Sequence, residues 1–188
     1  MPSQRLQFLL DALKSLNFEN VRVNHRAVAE QLRPLMNRLT AADLEISSIP
    51  QFPKQVWFYY PVKETEVFTL AVFALPAGLR LPLHDHPEMT VLCKPLIGRY
   101  RQTVMRPGAA REAEEVVVAG GECLLLESGT IHEVEALEDA AFLDLVLPPY
   151  SDSEADRKIK YFDRLSGGRF QVCPMPGSNR SIRMNIDY

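Results

Sequence analysis

The chain has 188 residues, of which 46% are hydrophobic, so it is long enough for one globular domain with a sizeable core. Its formal net charge of −3 argues against the broad basic surface that binds nucleic acid or an anionic membrane. No apolar run approaches the ~20 residues of a membrane span, and Asp11 and Lys14 interrupt the first hydrophobic stretch. The sequence therefore predicts a cytoplasmic protein whose partners are small molecules rather than nucleic acid or membrane. We expect a monomer, although no pattern in the sequence sets the oligomeric state.

The first 46 residues have a helical periodicity. Leucine and valine recur at three- and four-residue steps in two stretches, 6–16 and 28–39. This pattern predicts two amphipathic helices. Asn24 is the expected N-cap of the second helix, and the spacing of Thr40 and Asp43 matches a capping box that begins one more short turn. We predict that residues 1–46 form a helical segment packed on the rest of the chain.

Residues 47–188 have the pattern of short strands. Seven apolar or alternating runs follow one another, separated by proline and glycine: VWFYYPV, VFTLAVFAL, TVLCKPLIG, EEVVVA, CLLLES, HEVEAL and AFLDLVL. Runs at this spacing, with no ten-residue helical pattern between them, predict an antiparallel sandwich or barrel. We expect an all-β body and a C-terminal tail that is coil with a strand or two.

Two of the four histidines, His84 and His86, stand two residues apart in the segment PLHDHP. Residues at this spacing in a strand point to the same face, and Pro87 favours an extended backbone at His86. One such pair is as compatible with a polar sheet face as with a pair of metal ligands. His132, at the start of another predicted strand, is the candidate third ligand, whereas His25 lies apart in the helical region.

The three cysteines, Cys93, Cys123 and Cys173, are far apart in the chain. Their spacing matches neither a disulfide framework nor a CxxC metal site. We expect them to be buried free thiols.

Two segments together resemble the paired motifs of the cupin superfamily. The first covers residues 78–98 and contains His84 and His86 behind a glycine, and the second covers residues 121–132 and ends at His132. The resemblance implies a double-stranded β-helix, or jelly roll, with a metal ion inside the barrel. This agrees with the strand pattern found independently.

The chain departs from many cupins at one position of the first motif. These proteins add a carboxylate ligand four or five residues after the second histidine, where this chain has Thr90 and Val91, and Glu88 comes too soon to replace it. Three neutral imidazoles would leave a divalent ion its full charge and open coordination positions. Such a site attracts anionic ligands, among which a thiolate is a strong candidate.

A closer resemblance is carried by PLHDHPEMTVLCKPLIG, by LDLVLPPYSDSEADRKIKYFD and by the helical lead-in ending LTAADLEI. These segments resemble the thiol dioxygenases of the branch that contains 2-aminoethanethiol (cysteamine) dioxygenase and the plant cysteine oxidases. The resemblance implies that His84, His86 and His132 bind Fe(II), that Asp144 lies near the metal and that Tyr150 is the tyrosine of the PPY segment. It implies a non-haem iron enzyme that adds O₂ to a thiol to give a sulfinic acid, without an organic cofactor.

Two positions depart from this family. Glu88 stands where the family usually has glycine, which predicts a carboxylate near the mouth of the pocket. Lys158 stands where the plant members carry a cysteine, so any role of that cysteine is absent here.

Asp144 and Tyr150 each have two interpretations as catalytic candidates. Alternation places Asp144 on one face with Phe142 and Val146, where it is either a polar residue on an outward position or a hydrogen-bonded group beside the metal. The cost of burying an unpaired carboxylate favours the second interpretation. Tyr150 follows two prolines, so it can fix the turn or take part in catalysis.

Two other functions stay open at the level of sequence. Three-histidine sites also hold Zn, Mn or Ni, so the chain could be another metal-dependent cupin enzyme, an isomerase or a dioxygenase of a carbon substrate. It could also be a non-catalytic cupin that binds a small ligand. Among thiols, we favour the N-terminal cysteine of a peptide or cysteamine, since a thiol beside a free amine can chelate the metal.

Overall fold

The structure is a computed structural model, and it describes residues 2–16, 24–47, 49, 56–105, 114–150, 159–165, 169–173 and 180–183. Three helical elements come first: α1 (Gln4–Ser15), α2 (His25–Asn37) and a 3-10 helix (Ala41–Leu44). Twelve strands follow: β1 (Val56–Glu64), β2 (Thr69–Leu75), β3 (Arg80–Asp85), β4 (Thr90–Ile97), β5 (Arg99–Met105), β6 (Glu114–Ala119), β7 (Leu124–Leu126), β8 (Ile131–Ala136), β9 (Ala140–Leu147), β10 (Tyr161–Leu165), β11 (Arg169–Cys173) and β12 (Arg180–Arg183).

The helix α2 and the 3-10 helix begin where the sequence predicts. The side chain of Asn24 accepts a hydrogen bond from the Ala27 N–H at 3.1 Å, so the predicted N-cap of α2 is confirmed. The carboxylate of Asp43 accepts from the Thr40 N–H at 2.9 Å and from the Thr40 hydroxyl at 2.8 Å, which confirms the predicted cap of the short third turn. No helix in the described part of the chain is both long and apolar enough to cross a membrane.

The strands form two sheets of six, in the orders β12-β1-β2-β9-β4-β7 and β11-β10-β3-β8-β5-β6. Neighbouring strands are antiparallel except β1 and β12, which are parallel. One buried apolar cluster draws side chains from both sheets, including Phe73 and Phe142 of the first and Tyr100 and Val134 of the second. The two sheets therefore face each other, and the predicted all-β cupin jelly roll with a helical N-terminal segment is confirmed.

The helices cover the outer face of the first sheet. Leu143, Leu145 and Leu147 of β9 are fully buried in one cluster with Leu9 of α1 and Leu32 of α2. Burying a leucine side chain contributes about 1.5–3 kcal/mol, so this layer is a large part of the stability of the fold. The boundary between residues 46 and 47 stays a prediction.

Several strands lie outside the seven runs that the sequence indicates. In β5 the charged residues Arg99 and Arg101 alternate with inward-facing ones, so the strand has no continuous apolar run. The strand β3 contains Pro82 and two polar residues at its end, and β10 is equally polar. The tail contains β11 and β12, which confirms the expected strand or two.

The cysteines agree with the prediction where their side chains are described. Cys93 and Cys123 are buried and free. The side chain of Cys173 lies outside the described part of the chain, as do residues 151–158, which include Lys158.

Candidate metal centre

Two strands of the second sheet place the histidines. In the antiparallel pair β3 and β8, His84 lies directly opposite His132. His86 was expected to continue the strand, but β3 ends at Asp85. The reason is the turn that follows, in which the Met89 N–H donates to the His86 carbonyl at 3.1 Å. His86 still points to the same side as His84.

The three imidazoles converge on one point inside the barrel. Nε2 of His86 lies 3.1 Å from Nε2 of His84 and 3.0 Å from Nε2 of His132. Two ligands at right angles, each about 2.1 Å from a metal ion, lie about 3.0 Å apart, whereas tetrahedral ligands lie about 3.4 Å apart. These three histidines form the one group of candidate metal ligands found in the described residues, and the two distances from His86 are those of ligands at right angles about one ion.

The environment keeps these imidazoles neutral. Burial lowers the pKa of His84, and it lowers the pKa of His86 and His132 well below the ordinary value, with a further decrease from the neighbouring imidazoles. A neutral imidazole has one nitrogen with a free lone pair, which is the form that binds a metal. The donor set therefore fits a divalent metal ion.

The outward-facing nitrogens of the three rings have different partners. Nδ1 of His84 lies 2.7 Å from the Pro82 carbonyl and donates to it, so the lone pair of that ring is on Nε2. Nδ1 of His132 lies 3.0 Å from the side-chain amide of Gln102. Nδ1 of His86 is buried and has no hydrogen-bond partner among the described residues.

Asp144 lies inside the barrel, which excludes the outward position considered from the sequence. Its side chain lines the same cavity as the three histidines and is 7% exposed. Burial raises its pKa from 3.8 to about 7, against a smaller lowering by a hydrogen bond with the Cys93 thiol. The second oxygen, Oδ1, is buried and has no partner among the described residues. In the metal-free site, burial thus favours the protonated form of this carboxyl group.

Tyr150 is in position for both of its predicted roles. Its N–H donates to the Thr69 hydroxyl at 3.1 Å, which fixes the chain after β9. Its ring lines the histidine cavity, with its centroid 6.0 Å from that of His86. Burial raises the pKa of the Tyr150 hydroxyl well above its ordinary value, so this hydroxyl stays protonated.

The cavity between these groups is small and largely apolar. Its volume is about 40 Å³, and the walls opposite the histidines are formed by Phe73, Leu81, Leu126 and Phe142. A space of this size accepts one or two small groups but not bulk water.

Glu88 adopts a backbone conformation that glycine accepts more readily than other residues. Its φ angle is 64°, in the left-handed region that costs most residues about 1 kcal/mol or more. Two contacts hold the residue: its N–H donates to the Ser128 hydroxyl at 2.7 Å, and its carbonyl accepts from His25. Glu88 is exposed and lies two residues after His86, beside the centre.

Sequence reasoning missed Gln102 and Ser128. Gln102 lies between Tyr100 and Val104 on the inward-facing side of β5. A polar residue among apolar ones on a buried face is the sequence signal that could have identified it. Ser128 belongs to the second glycine-containing motif, but its contact with Glu88 depends on the folded chain.

A jelly roll that encloses three converging histidines is a cupin with a candidate metal centre. The chain belongs to the PCO_ADO family, whose model matches residues 13–184. The family predicted from the sequence is confirmed.

The curated relatives carry two names. The chain is 32% identical to 2-aminoethanethiol dioxygenase of Mus musculus, in a match that covers 70% of this chain and 66% of that protein. It is 30% identical to 2-aminoethanethiol dioxygenase of Homo sapiens, in a match that covers 70% of this chain and 63% of that protein. It is 27% identical to Plant cysteine oxidase 2 of Arabidopsis thaliana, over 71% and 56%. The chain thus spans somewhat less than two thirds of the mammalian relatives. Among solved structures, an RmlC-like cupin from Desulfovibrio desulfuricans is 27% identical over 55% of this chain and 92% of that one, with a TM-score of 0.45.

Proposed function

We propose that the protein is a non-haem iron(II) thiol dioxygenase that adds both atoms of O₂ to a thiol and yields a sulfinic acid. The observation that supports this most is the convergence of three neutral, buried imidazoles in a chain of the PCO_ADO family. The reaction RSH + O₂ → RSO₂H balances without an external reductant, because the sulfur supplies the four electrons that reduce O₂.

His84, His86 and His132 would hold the iron through their Nε2 atoms. When bound, iron(II) supplies coordination positions at which a thiolate and O₂ can meet. Because the three ligands are neutral, the site retains a positive charge that favours the deprotonated form of the incoming thiol. The contacts of His84 with Pro82 and of His132 with Gln102 hold two of the rings in orientation.

The other side chains of the cavity control water and protons. The aromatic rings of Phe73 and Phe142 exclude bulk water from the reacting sulfur. Asp144, whose pKa in the metal-free site is raised by burial to about 7, can accept a proton at Oδ1 or donate one from its protonated form. The Tyr150 hydroxyl, which stays protonated, can donate a hydrogen bond to the bound substrate.

The substrate class follows from the donor set and the relatives. A thiol beside a free amine can bind a metal through sulfur and nitrogen and close a five-membered ring. Cysteamine and the N-terminal cysteine of a peptide both have this arrangement, and the relatives' names include a 2-aminoethanethiol dioxygenase and a cysteine oxidase. We propose that both are accepted, with a preference for the peptide, and that N-acetylation of the peptide abolishes the reaction.

The charge of Glu88 would influence the residue that follows the substrate cysteine. The side chain is exposed two residues after His86, so its carboxylate would favour a basic residue in the peptide. Glu88→Lys should reverse the preference between Cys-Lys and Cys-Glu peptides, measured as the ratio of their kcat/KM values. An unchanged ratio would exclude this role of Glu88.

The test of the function is oxygen consumption by the iron-loaded protein against a panel of thiols. Cysteamine, a peptide beginning with Cys, the acetylated peptide and free cysteine form the panel, and the zinc-loaded protein is the control. We expect uptake of one O₂ per sulfinic acid with the first two. Turnover of a carbon substrate without thiol oxidation would instead identify another cupin enzyme, and binding without turnover a ligand-binding cupin.

We also propose that residues 1–46 and 47–188 form a single monomeric unit in the cytoplasm. Leu9 and Leu32 of the helices share a buried cluster with Leu145 of the body, which supports one folding unit. A single cooperative unfolding transition and a mass of about 21 kDa by light scattering are expected. Two separate transitions or a larger mass would contradict this proposal.

A further inference from the structure

Gln102 is a buried polar residue that contacts His132 from the side away from the metal site. It lies on β5, is 1% exposed and stands two residues from Val104, the residue opposite His132 in the neighbouring strand. Its amide nitrogen is 3.0 Å from Nδ1 of His132, and its amide oxygen, Oε1, is buried with no partner among the described residues. This contact is therefore the main polar interaction of the side chain.

The direction of this hydrogen bond decides which nitrogen of His132 has a free lone pair. If the amide NH₂ donates to Nδ1, the proton of the neutral ring is on Nε2, and Nε2 cannot bind a metal. If the amide is rotated by 180°, Oε1 accepts from Nδ1–H and leaves the lone pair on Nε2. The oxygen and nitrogen of a glutamine amide occupy nearly the same volume, so the rotation needs no other change in the cavity.

His84 provides the internal comparison. Its Nδ1 contacts the carbonyl of Pro82, and a carbonyl can only accept, so the proton of that ring is fixed on Nδ1 by the backbone. His132 has an amide at the corresponding place, which can both accept and donate. Control of the His132 proton therefore depends on one side chain.

We propose that Gln102 is a positioning residue that keeps His132 competent as a ligand, by accepting the Nδ1 proton with Oε1 when Nε2 binds the metal. The proposal depends on the metal site described above but not on the reaction that the site catalyses. Loss of a hydrogen bond behind a ligating histidine typically costs 10–100-fold in metal affinity.

The test uses variants at residue 102 that differ in whether their side chain can donate a hydrogen bond to Nδ1 of His132 or accept one from it. Gln102→Glu, studied at a pH at which the new carboxyl group is ionised, keeps an acceptor and removes the donor, whereas Gln102→Met removes both and nearly preserves the volume; Gln102→Leu is a second apolar variant. Thr103→Val is the matched control, because Thr103 is a buried polar residue on the same strand with its side chain on the other face. Circular dichroism and urea unfolding establish that each variant is folded.

The test measures two quantities, and neither of them depends on thiol turnover. The first is the tautomer of His132 in the metal-free protein, from the ¹⁵N shifts of labelled imidazoles. The second is the zinc affinity, from competition with a chromophoric chelator. Zinc is used because it binds the same nitrogen donors and does not react with O₂.

We expect Nδ1–H at His132 in Gln102→Glu, and a shift towards Nε2–H in Gln102→Met and Gln102→Leu. Zinc affinity should fall about 10–100-fold in either apolar variant and stay within about threefold of the wild type in Thr103→Val. It should not fall by more than about threefold in Gln102→Glu, because the added negative charge favours the cation. Equal zinc affinity of the wild type and a folded apolar variant would overturn the proposal. So would a loss in Gln102→Glu as large as in Gln102→Met. If the tautomers and zinc affinities follow this pattern but no thiol is oxidised, the proposed dioxygenase function is contradicted and the proposed role of Gln102 is still supported.

Discussion

The two faces of β9 carry different kinds of residue, although both belong to one strand of eight residues. On the outer face, Leu143 and Leu145 pack against the helices in a cluster of buried hydrophobic residues. On the inner face, Phe142 and Val146 flank Asp144, whose carboxyl group is buried beside the histidines. The outer face stabilises the fold through apolar burial. On the inner face, the buried carboxyl group lowers the stability of the fold but is available to the chemistry of the site.

The adjacent strand β4 has buried polar residues on both faces, and the two faces differ in their hydrogen bonds. On the outer face, the ammonium of Lys94 donates to the Gly121 carbonyl, so this buried cation has a partner. On the inner face, the Cys93 thiol lies 3.4 Å from the Tyr100 hydroxyl and next to Asp144. Three buried atoms around the centre have no hydrogen-bond partner among the described residues: Nδ1 of His86, Oδ1 of Asp144 and Oε1 of Gln102. Among these, Oδ1 of Asp144 lies in the wall of the histidine cavity, where it can bind a polar ligand.

The largest expected effect is the loss of a metal ligand from the inner face. His132→Ala should lower the iron content from about one per chain to a small fraction and abolish thiol oxidation, because two imidazoles hold a divalent ion poorly. Iron is measured after anaerobic loading and gel filtration. Thr103→Val is the control, since the side chain of Thr103 is buried on the face of β5 away from the cluster, and it should keep its iron. Full iron retention in His132→Ala would contradict the assignment.

The opposite effect is expected on the outer face of the same strand. Leu145→Ala should lower the free energy of unfolding by about 2–5 kcal/mol, because Leu145 is fully buried under the helices. The zinc affinity of the folded fraction should not change. Urea unfolding and chelator competition measure the two quantities, and a parallel loss of both would show that the faces are coupled.

Asp144→Asn should impair the reaction more than the fold. We expect turnover to fall about 10–100-fold while much of the iron remains, because the amide keeps the volume but cannot exchange a proton. Iron content and kcat are measured on the same preparation. Turnover equal to that of the wild type would reduce Asp144 to a structural residue.

The same carboxyl group should make the metal-free protein less stable as the pH rises. The pKa of Asp144 is raised from 3.8 to about 7, so its contribution to stability is complete below pH ~4 and is lost as the pH rises through about 7. Between pH 5 and pH 7, the wild type should lose about 2 kcal/mol of unfolding free energy relative to Asp144→Asn. Urea unfolding at the two pH values gives this difference, and parallel profiles would show that the carboxyl group is not protonated in the fold.

The smallest effect concerns the turn after His86. Glu88→Gly should raise the free energy of unfolding by up to about 1 kcal/mol, because glycine accepts the φ angle of 64° without strain. The hydrogen bond from this N–H to Ser128 is kept. Thermal unfolding measures the shift, and a decrease in melting temperature would mean that the Glu88 side chain contributes more than the strain costs.

The sequence was sufficient to predict the elements whose pattern is set by residues close together in the chain. The periodicity of the leucines predicted both helices, Asn24 predicted where α2 begins, and the pair Thr40 and Asp43 predicted the start of the short third turn. Alternation in β9 separated the residues of its two faces correctly, because the side chains of a strand alternate whatever they pack against. The spacing of the two histidine motifs brought His84, His86 and His132 together as candidates before the fold was known.

Other features depend on contacts between distant parts of the chain. Gln102 reaches His132 across the β5–β8 pairing, and Ser128 reaches Glu88 over forty positions in sequence. Neither register nor loop contact is encoded in a local pattern, so neither was predicted. Strand β5 itself was missed because its outward residues are charged and interrupt the apolar run.

The most direct test of the proposed function is mass spectrometry of a peptide that begins with Cys, after reaction with the iron-loaded protein under ¹⁸O₂. We expect the wild type to add two ¹⁸O atoms, about 36 Da, to the free-amine peptide and none to its N-acetylated form. His132→Ala should add none to either. No mass gain, oxygen that comes from water, or an equal gain with His132→Ala would contradict a three-histidine thiol dioxygenase. An equal gain on both peptides would show that the amine is not a ligand.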